Sequence, residues 1–125
     1  MADNVYTLHY FDGFARGEHI RLLLAHANVK FEDHRVSFND WPGTLKATMP
    51  GGSMPCLETK DGNKMGESIA ILRFLGLTHG YYPTDFNEAW ACDSLIDGYS
   101  DIFNKISGTA FMSGQAKEDA EDEIF

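Results

Sequence analysis

The sequence predicts an α/β domain in which strands and helices alternate in the order βαβαββα, followed by a helical region. Residues 5–11 (VYTLHYF) are rich in aromatic and β-branched side chains, which indicates a strand, and Asp12-Gly13 indicates the turn that ends it. Apolar residues then recur at steps of three and four from Ile20 to Ala27, which predicts an amphipathic helix beginning near Arg16. A second run of helical spacing extends from Trp90 to Ile106.

A partly solvated second strand and a short second helix are predicted next. Residues 30–36 (KFEDHRV) place Phe31 and Val36 among charged residues, as on a strand with one face in water. The triplet Asp40-Trp41-Pro42 then offers an N-cap, an aromatic anchor and a proline suited to the first helical position. Residues 49–55 (MPGGSMP) contain two prolines and two glycines and predict a loop.

A β-hairpin and a third helix complete the predicted βαβαββα unit. Asp61-Gly62 is a hairpin signal between the short segments 56–58 and 64–65. Ser68 is predicted to cap the third helix, and the apolar residues of that helix continue into the segment 76–80.

The remaining residues predict a separate helical region. Residues 81–85 interrupt the periodicity before the long helix, which carries acidic residues at four-residue steps. Residues 107–114 are predicted to form a loop, and the acidic stretch 115–125 is predicted to begin another helix. We therefore expect a first domain over residues 1–82 and an incomplete helical domain over residues 83–125.

The composition predicts a globular chain with an acidic surface. Of the 125 residues, 43% are apolar and 23% are charged, and the formal net charge is −9. This charge opposes binding to nucleic acid and to anionic membranes. The sequence has neither the ~18 continuous apolar residues of a membrane span nor the apolar core of a signal peptide. Cys56 and Cys92 form no CxxC pair, so we expect no zinc site or disulfide and a cytoplasmic location.

Two short motifs favour a ligand site. Met54-Pro55 joins a loop to a short strand, where a cis peptide bond would turn the neighbouring backbone toward a ligand. Glu67-Ser68 marks a helix N-terminus, where free N–H groups and the helix dipole favour a carboxylate. The five histidines have no spacing relative to acids or cysteines that would predict a metal site.

Several segments together resemble the amino-terminal domain of glutathione transferases, most closely the Sigma class. The resemblance rests on YTLHYFDGFARGEHIRLLLA, EDHRVSFNDWP, GGSMPCLE and ESIAILRFLG, which occur in that order. It covers residues from Val5 to Leu77 and continues more weakly to Phe125. The resemblance implies a thioredoxin-like first domain followed by the start of the all-α carboxy-terminal domain of that family.

The resemblance also implies a glutathione site. Tyr10 stands where the family keeps a tyrosine whose hydroxyl hydrogen-bonds the glutathione sulfur and favours the thiolate, which is the nucleophilic form. Arg16 matches the arginine beside that tyrosine, and Trp41 matches a tryptophan that contacts glutathione. Lys46 is the implied contact of the glycine carboxylate. Asp101 matches an acid that, in dimeric relatives, reaches the glutathione of the neighbouring subunit.

The other implied contacts hold the backbone and the amino end of the peptide. Ser53, Met54 and Pro55 match the segment that ends at a cis-proline, where the main chain of Met54 would pair with the cysteinyl backbone of glutathione. Glu67 suits the ammonium group of the γ-glutamyl residue, and Ser68 suits its carboxylate.

These matches imply a transferase that conjugates reduced glutathione to small electrophiles, as in detoxification, with isomerase or peroxidase activity as related functions. They imply glutathione as co-substrate, no metal, and a homodimer or docking into a larger complex. The alternative is a non-catalytic transferase-like subunit that serves as a structural or assembly module. From the residues alone, Tyr10 is typical of a half-buried aromatic at a strand end. A tyrosine rather than a cysteine there disfavours a thiol-exchange protein.

Overall fold

A computed structural model describes residues 4–124 and contains a mixed four-stranded sheet. The strands are β1 (Tyr6–Phe11), β2 (Phe31–Val36), β3 (Cys56–Thr59) and β4 (Lys64–Met65). Their order across the sheet is β2-β1-β3-β4. Strand β1 is parallel to β2 and antiparallel to β3, and β4 is antiparallel to β3. The predicted α/β class is confirmed.

Helices alternate with these strands and then continue without a sheet. They are α1 (Ala15–His26), α2 (Thr44–Thr48), α3 (Ser68–His79), α4 (Phe86–Thr109) and α5 (Gln115–Asp122). The chain divides into two compact units between Tyr82 and Pro83, so that the sheet and α1 to α3 form the first and α4 and α5 belong to the second. None of the helices described is long and apolar enough to cross a membrane.

Strand β1 runs through the core of the first unit. Leu8 is fully buried and lies opposite Leu57 of β3, which is also fully buried. Helices α1 and α3 pack against each other and add four buried aliphatic side chains to this cluster, namely Ile20, Leu24, Ile71 and Leu75. The apolar spacing in the sequence therefore marks the faces that α1 and α3 bury.

A chain of polar side chains crosses the sheet and connects three strands. A ring nitrogen of His9 in β1 lies 2.7 Å from a ring nitrogen of His34 in β2, and the two residues are also opposite each other in the parallel ladder. The other ring nitrogen of His9 lies 2.8 Å from a carboxylate oxygen of Glu58 in β3. His9 is buried, so these bonds satisfy polar atoms that have little access to water.

Two predicted helix starts are wrong by one or two residues. Pro42 does not initiate α2, which begins at Thr44, because Gly43 takes φ 154° and ψ −143°, a conformation that is not helical and that favours glycine. Ser68 is not the cap of α3 but its first residue. The cap position is Glu67, whose φ of 66° and ψ of 104° turn the chain into the helix.

The long helix extends further in both directions than its apolar spacing predicts. Asp85 caps the start of α4, and its carboxylate accepts hydrogen bonds from the backbone N–H groups of Asn87 and Glu88, both at 3.0 Å. At the other end the helix continues to Thr109, so the loop predicted from Ser107 is wrong over its first three residues. The predicted acidic helix begins at Gln115.

We expect Leu57→Ala to lower the free energy of unfolding by about 2–5 kcal/mol, because it removes buried methyl groups and leaves a cavity in the core. The matched control is Leu77→Ala, because Leu77 lies on α3 and is 61% exposed. That control should change the free energy by less than about 0.5 kcal/mol. Urea denaturation measures both values, and equal losses in the two variants would contradict this description of the core.

The pH dependence of stability should reveal His19 in α1. Its Nε2 atom is buried and has no hydrogen-bond partner, and burial lowers the pKa of His19 below its usual value. As pH falls through about 6.5, His19 binds a proton in the unfolded chain but stays neutral in the folded chain. The free energy of unfolding therefore falls.

His19→Gln should therefore lose less stability than the wild type between about pH 7.5 and 5.5 in urea titrations. The control Leu22→Gln changes an exposed residue of the same helix and should keep the wild-type slope. Identical slopes in the wild type and His19→Gln would rule out a contribution from His19.

Candidate functional site

Tyr10 is held at the carboxyl end of β1. Its side chain is only 7% exposed, and its hydroxyl oxygen accepts a hydrogen bond from the backbone N–H of Arg16 at 3.1 Å. A phenol can accept one hydrogen bond and still donate its own hydrogen. Tyr10 can therefore donate a hydrogen bond to an acceptor at this end of the sheet.

Gly17 and Arg21 of α1 lie against the Tyr10 ring, and neither was predicted as a site residue. Gly17 is buried, and a Cβ atom at this position would overlap the Tyr10 ring. Arg21 is 6% exposed, and its guanidinium carbon lies 5.7 Å from the centre of the same ring. In the sequence, Arg21 is a polar residue between apolar ones. The local sign of an acidic partner was Glu18, three residues earlier.

An aromatic cluster lies beside the end of β1. The ring of Phe11 stacks on Phe38 with centroids 4.5 Å apart, and Trp41 meets Phe11 edge-on at 5.6 Å. Trp41 is therefore positioned through Phe11, the residue that follows Tyr10. Phe38 is 72% exposed, so this cluster presents an aromatic surface to solvent.

The loop before β3 ends in a cis peptide bond between Met54 and Pro55. Ser53 precedes it in an extended conformation, with φ −138° and ψ 163°, and is exposed. The side chain of Lys46 in α2 lies against Gly52, within 3.7 Å of where a Cβ atom would stand. Lys46 therefore lies against the residue that precedes Ser53.

Three of the predicted site residues follow or precede paired residues at one end of the sheet. The β1–β3 ladder ends with His9 opposite Cys56, and these residues are adjacent in sequence to Tyr10 and Pro55. The β3–β4 ladder ends with Leu57 opposite Met65, and Glu67 follows two residues later at the start of α3. Tyr10, Pro55 and Glu67 therefore form a row at the same end of the sheet, where three neighbouring strands ~4.8 Å apart span about 10 Å.

The row ends at the N-terminus of α3. Glu67 is exposed, and its positive φ is a conformation that residues other than glycine seldom adopt. Ser68 opens the helix, so the first backbone N–H groups of α3 have no intrahelical acceptor. This helix end can receive a carboxylate.

Cys56 is the cysteine nearest to the row, and it is not suited to act as a nucleophile. Burial raises the pKa of the Cys56 thiol, so the cysteine next to Pro55 stays protonated and is a poor nucleophile. No set of three or more His, Cys, Asp or Glu side chains within residues 4–124 is arranged to hold a metal ion. Asp101, the remaining predicted site residue, is exposed on α4 in the second unit.

Comparison with known proteins identifies the family. Residues 6–76 match the family model of the glutathione S-transferase N-terminal domain. The chain belongs to the glutathione transferase family. The resemblance found in the sequence and the predicted thioredoxin-like transferase fold are thereby confirmed.

Individual relatives agree with the family model. The class-mu 28 kDa glutathione S-transferase isozyme of Schistosoma japonicum is 35% identical over 119 residues, covering 92% of this chain and 57% of that protein. The structure of prostaglandin synthase D of Nilaparvata lugens superposes with a TM-score of 0.85 at 36% identity, covering 96% of this chain and 60% of that one. A sigma class transferase of Fasciola hepatica gives 0.82 at 34% identity, covering 95% and 58%. This chain thus spans less than two thirds of the length of these relatives.

Proposed function

We propose that this glutathione transferase chain binds reduced glutathione along the row formed by Tyr10, Pro55 and Glu67, and that the bound thiolate attacks small electrophiles. The observation that carries the proposal is the pairing of β1, β3 and β4, which supports a common position for the three residues at one end of the sheet. An extended peptide of three residues is about 10 Å long, similar to the length of this row.

Tyr10 acts on the sulfur atom. A cysteinyl thiol has a pKa of about 8.5, and lowering that pKa by about two units requires about 2.7 kcal/mol of preferential stabilisation of the thiolate. A hydrogen bond from a hydroxyl to an anion supplies energy of this order. The Arg16 N–H that donates to the Tyr10 oxygen leaves the hydroxyl hydrogen for this purpose and polarises the O–H bond.

The γ-glutamyl end lies at the start of α3. Its carboxylate accepts hydrogen bonds from the first N–H groups of the helix and from the Ser68 hydroxyl. The exposed Glu67 carboxylate pairs with the ammonium group. Between the two ends, the backbone of Met54 pairs with the cysteinyl residue as a one-residue strand.

The remaining predicted residues complete the site at its edges. Lys46 attracts the glycine carboxylate, and Trp41 contacts the same end of the peptide from the aromatic cluster. Arg16 adds positive charge next to the sulfur. Asp101 is proposed to reach the glutathione of a second subunit in a homodimer, which is the assembly that the resemblance implies.

The reaction is a nucleophilic attack by sulfur. The thiolate forms a bond to an electrophilic carbon, and the electron pair leaves with the displaced group or moves onto an acceptor atom of the electrophile. The thiol proton goes to solvent before the attack. We assign the chain to the Sigma class, as the likeness to the sigma class transferase supports, with detoxification in the cytoplasm as its setting and glutathione-dependent isomerisation or peroxide reduction as related activities.

The second candidate function is a non-catalytic structural or assembly module. The observation that favours it is the apolar face of α4, where Trp90, Leu95 and Ile102 are 71%, 75% and 55% exposed. Tyr99 is also exposed, whereas Phe103 is half-buried and stacks on Tyr99 at 5.8 Å. Such a face is typical of a surface that contacts another chain or another domain.

Tyr10→Phe should raise the pKa of the bound glutathione thiol by about one to two units, because it removes the hydrogen bond to the thiolate. Thiolate absorbance of the saturated complex as a function of pH measures that pKa. Tyr6→Phe is the matched control, because Tyr6 is equally buried on the same strand and face. If Tyr10→Phe and Tyr6→Phe give the same thiol pKa, Tyr10 is not the sulfur ligand.

Ser68→Ala should weaken glutathione binding about tenfold, because a hydrogen bond to a charged carboxylate contributes roughly 1.5 kcal/mol. Calorimetric titration at neutral pH measures the affinity, and Ser107→Ala in α4 should leave it unchanged. Failure of the folded wild type to bind millimolar glutathione would overturn the proposed function and favour the assembly module.

A further inference from the structure

Arg21 makes an unusual number of contacts for one side chain of the first unit. Its guanidinium donates hydrogen bonds to two backbone carbonyl oxygens of the turn after β1, those of Phe11 at 3.1 Å and Gly13 at 2.5 Å. It also donates to the carboxylates of Asp33 at 3.0 Å and Glu18 at 3.1 Å. One side chain therefore joins α1, β2 and the turn that follows Tyr10.

This arrangement has an energetic cost that the fold must offset. Removing a guanidinium from water is unfavourable unless all of its donors find acceptors in good geometry. Four of the five N–H donors of Arg21 have acceptors. Lysine cannot reproduce these bonds because its ammonium offers three donors from a single point. A buried arginine at this place is therefore a specific feature of the turn.

The same guanidinium also faces the ring of Tyr10. The distance from its central carbon to the ring centre, 5.7 Å, is within the range of a cation–π contact. Gly17 brings the helix backbone so near to the ring that no side chain fits between them. The position of the ring is thus restricted by the helix backbone, by Arg21 and by the Arg16 N–H that donates to its hydroxyl.

The geometry points to Arg21 as the positioning residue for Tyr10: it fixes the turn 11–13 and the Tyr10 ring so that the hydroxyl receives the Arg16 N–H and aims its own hydrogen at the bound sulfur. This inference rests on the proposed function, which it deepens. Arg21 acts through Tyr10 and does not itself contact glutathione, so its loss changes the state of the sulfur more than the affinity for the peptide.

The test compares Arg21→Lys with Arg35→Lys. Arg35 undergoes the same chemical change and shares Asp33 as a partner, at 2.9 Å, but its side chain is 41% exposed and bonds to Asp12 rather than to the turn carbonyls. Glu18→Gln is a milder second variant, because Glu18 is half-buried and its change leaves Arg21 in place. Urea denaturation shows which variants are folded.

The first readout does not depend on glutathione. In protein labelled with fluorotyrosine, the Tyr10 resonance is assigned as the one missing in Tyr10→Phe. Arg21→Lys should shift or broaden this resonance, and Glu18→Gln should do so to a smaller extent. Arg35 is opposite Tyr10 in the parallel ladder, so Arg35→Lys tests whether a neighbouring arginine has the same effect, and its shift should be clearly smaller than that of Arg21→Lys. An unchanged Tyr10 resonance in folded Arg21→Lys would overturn the inference, even if glutathione fails to bind.

The second readout is the pKa of the bound glutathione thiol. Arg21→Lys should raise this pKa by about one unit while the dissociation constant of glutathione at neutral pH rises less than about threefold. A loss of affinity with no change in thiol pKa would mean that Arg21 serves the stability of the fold alone. If the wild type does not bind glutathione, the proposed function fails, and the resonance of Tyr10 still decides whether Arg21 positions that ring.

Discussion

The register of the central strand β1 is the constraint on which the site depends. Side chains alternate along a strand, so Leu8 enters the core only if Tyr10 points to the same face. The pairing of His9 with Cys56 then brings the end of β1, with Tyr10, to the start of β3, which Pro55 precedes, and the β3–β4 hairpin leads to Glu67 at the start of α3. A slip of one residue would send Tyr10 to the opposite face and replace it with Phe11, which has no hydroxyl.

Polar side chains on both faces of the sheet make that slip unfavourable. On the face of α1, Arg21 reaches Asp33 of β2, and on the other face His9 connects to His34 and Glu58. The His9 contacts join β1 to β2 and β3, and the Arg21 contact joins α1 to β2. A shifted register would separate His9 and Arg21, both buried, from these partners, and each buried polar group left unsatisfied costs about 1–3 kcal/mol.

The local sequence pattern was sufficient to predict the helices and strands but not the residues at which the helices begin. The composition of β1 and the apolar spacing of α1 are properties of consecutive residues, so the bounds of both elements were predicted within a residue or two. Ser68 was wrongly predicted as a cap because the cap position lies one residue earlier, at Glu67, whose positive φ is uncommon for a residue other than glycine and has no sequence signal. Arg21 was not recognised because Asp33 lies twelve residues away, on a neighbouring strand, and the turn carbonyls carry no sequence signal. Met54-Pro55 and Glu67-Ser68 were candidates from their own sequence, and the other site residues rest on the family resemblance.

The charge of the chain indicates how such a site must bind an anionic peptide. Glutathione carries two carboxylates and one ammonium group at neutral pH, and ionisation of the thiol adds a further negative charge, while the chain itself has a net charge of −9. The long-range field is therefore repulsive, although salt screens it beyond about 8 Å. In the proposed site, attraction therefore comes from groups in direct contact with the peptide, namely the N–H donors of α3, the Tyr10 hydroxyl and a few local cations. Groups of this kind act only at hydrogen-bond distance, so their placement matters more than their number. In the proposed site this gives a physical role to Arg21: its donors hold the turn after β1, and through that turn they position the Tyr10 hydroxyl.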